Sequence, residues 1–253
     1  MIKVQYRGRL GNAMVQLAAG YVLSKKTGLK LDVRCQQRRY ILAHHNIPKE
    51  IMKYFDLKPS TGDEIHELVE LTDKSYFKHL MIPPTTGYFV NGYFQTGALL
   101  CDHRELILDL YNSPEDEARP GSNDAFVHAR IGDLLNKPNN RNMAYFKPEY
   151  LKKLLQTTRS TFNTVYISSD TIDYPPLVEL IEKYSLTPYN NDPLATILFA
   201  RRFNNLILSA GSFSYWMAYL SEAINITVYK NPEQDPLQRQ NAWGYNKNVK
   251  FIK

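Results

Sequence analysis

The sequence has few cysteines and no long apolar run, and both absences narrow its class. Its 253 residues include two cysteines, Cys35 and Cys101, without CxxC spacing or clustered histidines beside them. This pattern argues against a zinc site and suits reduced thiols. No stretch comes near the roughly 18 uninterrupted apolar residues of a membrane span, and residues 1–6 lack a signal-peptide core. We therefore expect a cytoplasmic protein.

Acidic residues are outnumbered by basic ones. The formal net charge is +6 and the sequence pI is about 9.1. This balance favours an anionic partner, which is a nucleic acid, a phosphorylated small molecule or an acidic membrane face. Basic doublets occur at residues 25–26, 38–39, 152–153 and 201–202. Each doublet alone is more typical of a solvated helix face, so charge does not choose among these partners.

A loop-like stretch divides the sequence into two parts. Residues 112–124, "NSPEDEARPGSND", are rich in Pro, Gly, Ser, Asn and acids. We predict two domains, one over residues 1–118 and one over 119–253.

Strand-like and helix-like segments alternate after the divide, which predicts a parallel sheet with ligand sites at the carboxyl ends of its strands. Before the divide, the strand "IKVQY" leads through a loop into a helix with one apolar face, and "LKLDV" returns as a second strand. Residues 36–86 show no clear organisation. The predicted strands cover 125–129, 164–169, 205–209 and 225–229, and the helices cover 148–158, 175–184, a segment that opens at 192–193, and 213–223.

The first loop, in "YRGRLGNAMVQLAAG" at residues 6–20, combines glycine with arginine and asparagine directly before a helix. Glycine lets a backbone approach a ligand closely, and a helix start presents unpaired N–H groups, so the loop is a candidate phosphate or sugar site. A tight strand-to-helix turn is the alternative.

Polar clusters follow three predicted strands. In "FVHARIGDLL", His128 and Arg130 point to the same side and Asp133 follows in the loop, so a diphosphate site competes with an Arg130–Asp133 ion pair and a core histidine. "YISSDTIDY" ends a strand with small polar residues and Asp170. In "LILSAGSFSYWMAYLS", serines at a helix start can bind an anion or simply cap the helix.

Asp192 and Pro193 form a further polar pair, which fits a helix N-cap followed by proline in the first turn. The functional alternative is a carboxylate that binds the ring N–H groups of guanine.

Five segments in this order resemble the α-1,2-fucosyltransferases of glycosyltransferase family eleven. The resemblance implies two Rossmann-like α/β domains facing a cleft (GT-B type), a GDP-sugar donor and inversion at the anomeric carbon. It also implies that residues 1–118 lie on the acceptor side and that residues 119–253 bind the donor. Ile131 stands where the family has a second arginine, and Ala13 and Ala210–Gly211 also depart from its pattern. The five segments are "GRLGNAMVQLAAGY" (8–21), "GYFQ" (92–95), "HARIGD" (128–133), "ISSD" (167–170) and "SAGSFSYWMAYL" (209–220).

The resemblance implies a role for each site residue. Arg130 and Ser212, Phe213 and Ser214 are expected on the donor diphosphate, and Asp192 with Ser169 and Asp170 on the guanosine. Arg9, Gly11 and Asn12 are expected to orient the sugar or phosphate. Asp133 is the predicted base, with His128 behind it. Without a DxD motif, we expect no metal and no cofactor.

The predicted reaction is transfer of fucose from GDP-fucose to a hydroxyl of an acceptor glycan, α-1,2 to galactose. Several alternatives to this reaction stay open. One is another GDP-sugar, such as GDP-rhamnose, or another linkage. Ile131 allows a catalytically inactive sugar-binding protein. Gly8 to Gly11 match the GXXG loop of KH-type RNA binders, but a KH loop joins two helices and this one follows a strand. We expect a GDP-sugar and a glycan as partners, no nucleic acid, and peripheral membrane contact at most; the oligomeric state is unknown.

Overall fold

A computed structural model describes residues 1–33, 51, 68–82, 84, 86–111, 119–132, 148–230 and 235–252. The chain divides into two compact units, Met1–Glu115 and Asp116–Lys253. Each unit is an α/β structure built on a parallel sheet, so the α/β class predicted from the sequence is confirmed. The acceptor and donor roles of the two parts stay predictions.

The first sheet has four parallel strands in the order β2-β1-β4-β3. Lys3 in the central strand aligns with Asp32 on one side and with Phe89 on the other. The strands are β1 (Ile2–Val4), β2 (Leu31–Asp32), β3 (Leu68–Leu71) and β4 (Gly87–Val90), and the helices are α1 (Leu10–Thr27), α2 (Tyr76–His79), α3 (Gly97–Leu100) and α4 (Arg104–Leu110).

Helix α1 is buried on more faces than the single apolar face predicted from its sequence. Two buried tyrosines donate hydrogen bonds to its carbonyls: Tyr76 from α2 to Ala19 O at 2.6 Å, and Tyr111, just after α4, to Met14 O at 2.6 Å. On the sheet side, a Cβ at Gly20 would lie 2.5 Å from a methyl group of Val4. The small residues of α1 therefore let it pack closely between the sheet and these tyrosines.

The second sheet has six parallel strands in the order β10-β9-β8-β5-β6-β7. Numbered from its own first strand, this is the order 3-2-1-4-5-6 of doubly wound nucleotide-binding folds. The strands are β5 (Ala125–Ala129), β6 (Val165–Ser169), β7 (Thr187–Pro188), β8 (Asn205–Leu208), β9 (Asn225–Tyr229) and β10 (Val249–Ile252). The helices are α5 (Pro148–Thr158), α6 (Pro175–Tyr184), α7 (Pro193–Ala200), α8 (Ser212–Tyr219) and α9 (Pro236–Arg239).

Alternate residues of β5 separate the two faces of this sheet. Val127 packs in an aliphatic cluster with Leu155 of α5 and Leu177 of α6. Phe126 points the other way and contacts the rings of Phe199 and Phe203, with centroids 5.9 and 5.5 Å away. Because both faces are covered, β5 is fully buried, as its apolar sequence requires.

In each sheet the first strand has one neighbour that comes much later in the chain. This pair is β1 and β4 in the first sheet and β5 and β8 in the second. In the second sheet the strand order reverses between the two, and at such a reversal connections leave toward opposite sides and open a crevice at the carboxyl ends, where α/β proteins bind ligands. We call these two positions the first and second switch points.

Within the described ranges, no helix has both the length and the apolar character needed to cross a bilayer. The same residues contain no group of three or more His, Cys, Asp and Glu side chains arranged to hold a metal ion.

Candidate functional site

Arg130 lies at the second switch point, directly after β5 and beside the first turn of α8. A Cβ at Gly211 would be 3.1 Å from Nη1 of Arg130, so the guanidinium is close to the backbone where α8 begins. Gly211 has φ +108°, a conformation that L side chains rarely adopt. Glycine at this position therefore serves both the turn and the approach of the arginine.

Helix α8 begins with Gly211 at its N-cap, and no side chain caps it. The alternative in which a serine caps this helix is therefore wrong. Ser212 and Phe213 are half-buried in the first turn, where the helix presents backbone N–H groups and the positive end of its dipole. Together with Arg130, this turn places two anion-binding features side by side.

A buried network connects β5, β8 and α8. His128 Nδ1 is 2.7 Å from Ser214 Oγ and 3.2 Å from Ser209 Oγ, and the two serine oxygens are 2.9 Å apart. The Arg130 backbone N–H donates to Ser209 Oγ at 3.2 Å. Ser214 is fully buried, so its hydroxyl faces this network, and its predicted contact with the donor stays a prediction.

Burial lowers the pKa of His128 to about 4. The charge of Asp170 acts in the opposite direction, and that of Arg130 lowers the pKa further. The imidazole is therefore neutral at pH 7.

Asp170 fastens the loop after β5 to the end of β6. Its Oδ1 accepts from the backbone N–H groups of Ile131 at 2.8 Å and Gly132 at 2.9 Å. A Cβ at Gly132 would lie 2.7 Å from Asp170 Oδ2, so only glycine fits under this carboxylate. Ser169 Oγ accepts from the N–H of Thr171 at 3.1 Å. The predicted recognition of guanosine by Ser169 and Asp170 stays a prediction.

Ile131, which replaces the family's second arginine, is buried with the aliphatic cluster on β5. Its side chain faces the core while its N–H is bound to Asp170. Asp133, the predicted base, lies outside the described residues.

Two Asp-Pro pairs begin helices in the second unit. Asp192 caps α7 with Oδ1, which accepts from Leu194 N and Ala195 N at 3.0 Å each, as the N-cap interpretation predicts. The carboxylate is exposed, and its predicted contact with guanine stays a prediction.

The second pair contains Asp235, which sequence analysis missed. It caps α9 through the N–H of Leu237 and also accepts from the N–H of Gly211 at 3.1 Å, so it supports the start of α8 from behind. Burial raises the pKa of Asp235. The sequence signal that could have located Asp235 is the adjacent Asp-Pro pair, which also occurs at Asp192.

The first switch point contains Arg9 and Asn12. Arg9 is exposed at the N-cap of α1, and its carbonyl accepts from Asn12 N at 3.0 Å. Gly8 has φ +77°, and a Cβ there would lie 2.4 Å from Asn12 Nδ2. Gly11 is buried in the first turn of α1. The loop is therefore compact, with Asn12 packed against the glycine that makes the turn.

Gln95, from the segment "GYFQ", completes this switch point. Its Nε2 donates to Asn12 Oδ1 at 2.7 Å, across 83 residues of sequence. Asp73 holds the preceding turn by accepting from the N–H groups of Tyr93 and Phe94 at 3.1 and 2.5 Å. Sequence analysis used "GYFQ" only for its family likeness, so it missed Gln95 and Asp73.

A model described as Glycosyl transferase family 11 matches residues 1–250. The chain belongs to glycosyl transferase family 11. Searches of curated proteins and of solved structures found no match.

This membership confirms the family predicted from the five sequence segments. The family 11 chain is a glycosyltransferase of the fucosyltransferase type. The two switch points lie in the segments that carried the resemblance, since Asn12, Gln95, Arg130 and Ser212 each come from one of them.

Proposed function

We propose that this family 11 chain is an inverting glycosyltransferase that moves fucose from GDP-fucose to a hydroxyl of an acceptor glycan, α-1,2 to galactose. One observation carries the proposal: the guanidinium of Arg130 lies beside the first turn of α8 at the second switch point. A planar, permanently charged fork next to a helix N-terminus suits a diphosphate. The proposal includes a cytoplasmic location and no metal or other cofactor.

In the proposed reaction, the acceptor oxygen bonds to the anomeric carbon while the bond from that carbon to the β-phosphate oxygen breaks. GDP departs with the electron pair of the broken bond. Arg130 and the first turn of α8 stabilise the negative charge that grows on the diphosphate. The acceptor proton passes to a base, for which Asp133 stays our prediction.

The first unit contributes Arg9 and Asn12, which orient the sugar or the phosphate. The bond from Gln95 supports this role for Asn12, because it fixes which way the Asn12 amide faces. The family resemblance implies the two-domain cleft of the GT-B type, and the proposal retains it. Gly8 and Gly11, the ends of the KH-like GXXG match, belong to a strand-to-helix connection, which favours the transferase over an RNA-binding loop.

Recognition of the base is assigned to Asp192, with Ser169 and Asp170 near the guanosine. The cap of α7 uses Oδ1 of Asp192, and the carboxylate is exposed. Asp192→Asn tests this role, because asparagine caps a helix as well as aspartate does. We expect unchanged stability without ligand and about tenfold weaker GDP binding, as for loss of a hydrogen bond to a charged group. Unchanged GDP binding would remove Asp192 from the donor site.

The donor is tested by thermal unfolding with nucleotides and by turnover. GDP binds the folded state in this proposal, so it should raise the Tm, while UDP and CMP should do far less. GDP-fucose should support transfer to a terminal galactoside, with GDP-mannose and GDP-rhamnose as competing donors and EDTA as a control. Equal stabilisation by UDP would contradict the guanine assignment. Turnover restored only by added magnesium or manganese would contradict the metal-independent mechanism.

A further inference from the structure

His128 has a hydrogen-bonding environment that restricts where its ring proton resides. Its Nδ1 faces Ser214 Oγ at 2.7 Å and Ser209 Oγ at 3.2 Å, and all three side chains are buried. The N–H of Arg130 can only donate, so Ser209 Oγ accepts at least this bond. The remaining partners depend on where the two hydroxyl protons lie.

Every proton of this network has an acceptor only if Nδ1 is bare, and two arrangements then satisfy it. In one, Ser209 O–H donates to Ser214 Oγ and Ser214 O–H donates to Nδ1, which uses the two shortest contacts. In the other, Ser214 O–H donates to Ser209 Oγ and Ser209 O–H donates to Nδ1 at 3.2 Å. If Nδ1 carries a proton, it donates to Ser214, Ser214 donates to Ser209, and the Ser209 proton has no acceptor among the described residues. A buried hydroxyl without an acceptor is unfavourable, so Nδ1 is the acceptor.

We propose that Ser209 and Ser214 are positioning residues that hold His128 as the neutral tautomer with its proton on Nε2. Ser209 also holds the backbone of Arg130 at the second switch point. His128 then offers an N–H donor there and is not the base for the acceptor hydroxyl. Within the part of the chain that the structure describes, no hydrogen bond reaches Nε2. The link to catalysis rests on the proposed function, whereas the tautomer does not.

Burial of the ring is the largest effect that keeps the imidazole neutral, and it outweighs the nearby charges. Arg130 disfavours a second positive charge on His128, and Asp170 favours one. Asp170 is engaged with the N–H groups of Ile131 and Gly132. Burial of the ring adds to the effect of Arg130.

The test is the pair of ring ¹⁵N signals of His128 in the full chain labelled at histidine, assigned by their loss in His128→Gln. We expect Nε2 to give the signal of a protonated nitrogen and Nδ1 that of an unprotonated one at pH 7. In Ser214→Ala the longer contact of 3.2 Å from Ser209 Oγ to Nδ1 is left, so the two signals should move toward each other as the second tautomer becomes more populated. Ser214→Thr keeps the hydroxyl and should restore the separation. A proton on Nδ1 in the unsubstituted protein would overturn the proposal.

A matched control separates positioning from packing. Ser221 is also buried in this unit, and its hydroxyl donates to Ala218 O at 2.8 Å. Ser221→Ala should lower the Tm without moving the His128 signals. The double substitution Ser209→Ala and Ser214→Ala removes both hydroxyls that reach Nδ1 and should move these signals. His128 signals unchanged in the double variant would also overturn the proposal.

Activity provides a second readout. Displacement of Arg130 and His128 should lower kcat by up to about 100-fold in Ser209→Ala, with a smaller change in KM for the donor. Near-normal kcat would contradict the positioning role. If the chain transfers no sugar from any GDP-sugar, the proposed function fails, and the nitrogen signals still decide the tautomer.

Discussion

The two switch points both lie between the first strand of a sheet and a neighbour from much later in the chain, but they differ in the side chains that occupy them. Between β1 and β4, the half-buried neutral amides of Asn12 and Gln95 bond to each other. Between β5 and β8, the guanidinium of Arg130 lies beside Gly211, and the Arg130 backbone N–H bonds to a buried network of one histidine and two serines. Strand order thus fixes where loops meet, and side chains decide what can bind there. The amide pair of the first switch point, with the exposed Arg9 beside it, suits orientation of the sugar or the phosphate, and the second switch point suits an anion held close to the helix start.

The largest effect should come from Arg130→Lys. Lysine keeps one charge but loses the planar fork, so turnover should fall on the order of 100-fold or more, at least about 3 kcal/mol of transition-state stabilisation. Initial rates and circular dichroism measure this loss against an intact fold. Arg119→Lys is the matched control, because Arg119 forms an exposed ion pair with Glu222 at 3.0 Å. Near-normal turnover by folded Arg130→Lys would contradict a role of the planar fork on the diphosphate. It would also remove the proposed chemical difference between the two switch points.

The second switch point should also make stability depend on pH. Because the pKa of His128 is lowered to about 4, the unfolded chain takes up a proton below pH 6.5 before the folded one does. The contribution of His128 to the free energy of unfolding is therefore complete above pH 6.5 and is lost as the pH falls to 4. This loss amounts to up to about 3 kcal/mol. Asp235, whose pKa is raised by burial, acts in the opposite direction.

The difference in unfolding free energy between the unsubstituted protein and His128→Gln isolates the histidine. This difference should shrink as the pH falls from 6.5 to 4. A difference that stays constant over this range would show that His128 titrates alike in both states. Asn12→Ala, which changes a neutral amide, should give a constant difference.

Gly8→Ala at the first switch point should lower the free energy of unfolding by about 1–2 kcal/mol, because alanine is strained in the left-handed conformation. The contact of its Cβ with Asn12 Nδ2 should also displace Asn12 and lower turnover. Gly28→Ala is the control: Gly28 has φ +74°, and a Cβ there would meet nothing within 4 Å. Denaturant unfolding and initial rates should show similar strain in both variants and lost turnover in Gly8→Ala alone. Equal turnover would exclude Asn12 from the donor site.

The smallest effect should come from Gln95→Leu. Loss of its bond to half-buried Asn12 should cost about 0.5–1 kcal/mol and turnover should fall several-fold, because the Asn12 amide is no longer oriented. Tyr21→Phe removes another hydrogen bond in this unit, 2.7 Å to Asp109, and should cost similar stability without loss of turnover. The same loss of turnover in both variants would indicate a general effect on the unit.

Sequence patterns predicted the local elements of the second unit well. The strands at 125–129 and 225–229 and the helices at 148–158 and 175–184 are confirmed with the same bounds. Helix α8 ends at Tyr219, four residues before its predicted end, because Ser221 bonds to Ala218 O and to Ala223 N and closes the helix. β7 and β10 were missed, since a two-residue strand and a short exposed one carry little periodicity.

Contacts between distant segments were not readable from the sequence. Gln95 and Asn12 are 83 residues apart, and Ser214 and His128 are 86 apart. These contacts follow from strand order, which no single segment encodes. The sequence indicated loops at Gly8 and Gly211. That a Cβ at these positions would come close to Asn12 and Arg130 depends on the folded chain.

The position of β5 between β6 and β8 has a consequence for synthesis and folding. As the chain emerges from the ribosome, β5 can pair with β6 long before β8 exists, because its partner in β8 lies 80 residues later, as with Ala125 and Asn205. Such long loops close slowly. The buried network that His128 forms with Ser209 and Ser214 is therefore completed only when β8 joins the growing sheet. The ring nitrogen signals of this histidine would report that late step in a refolding experiment.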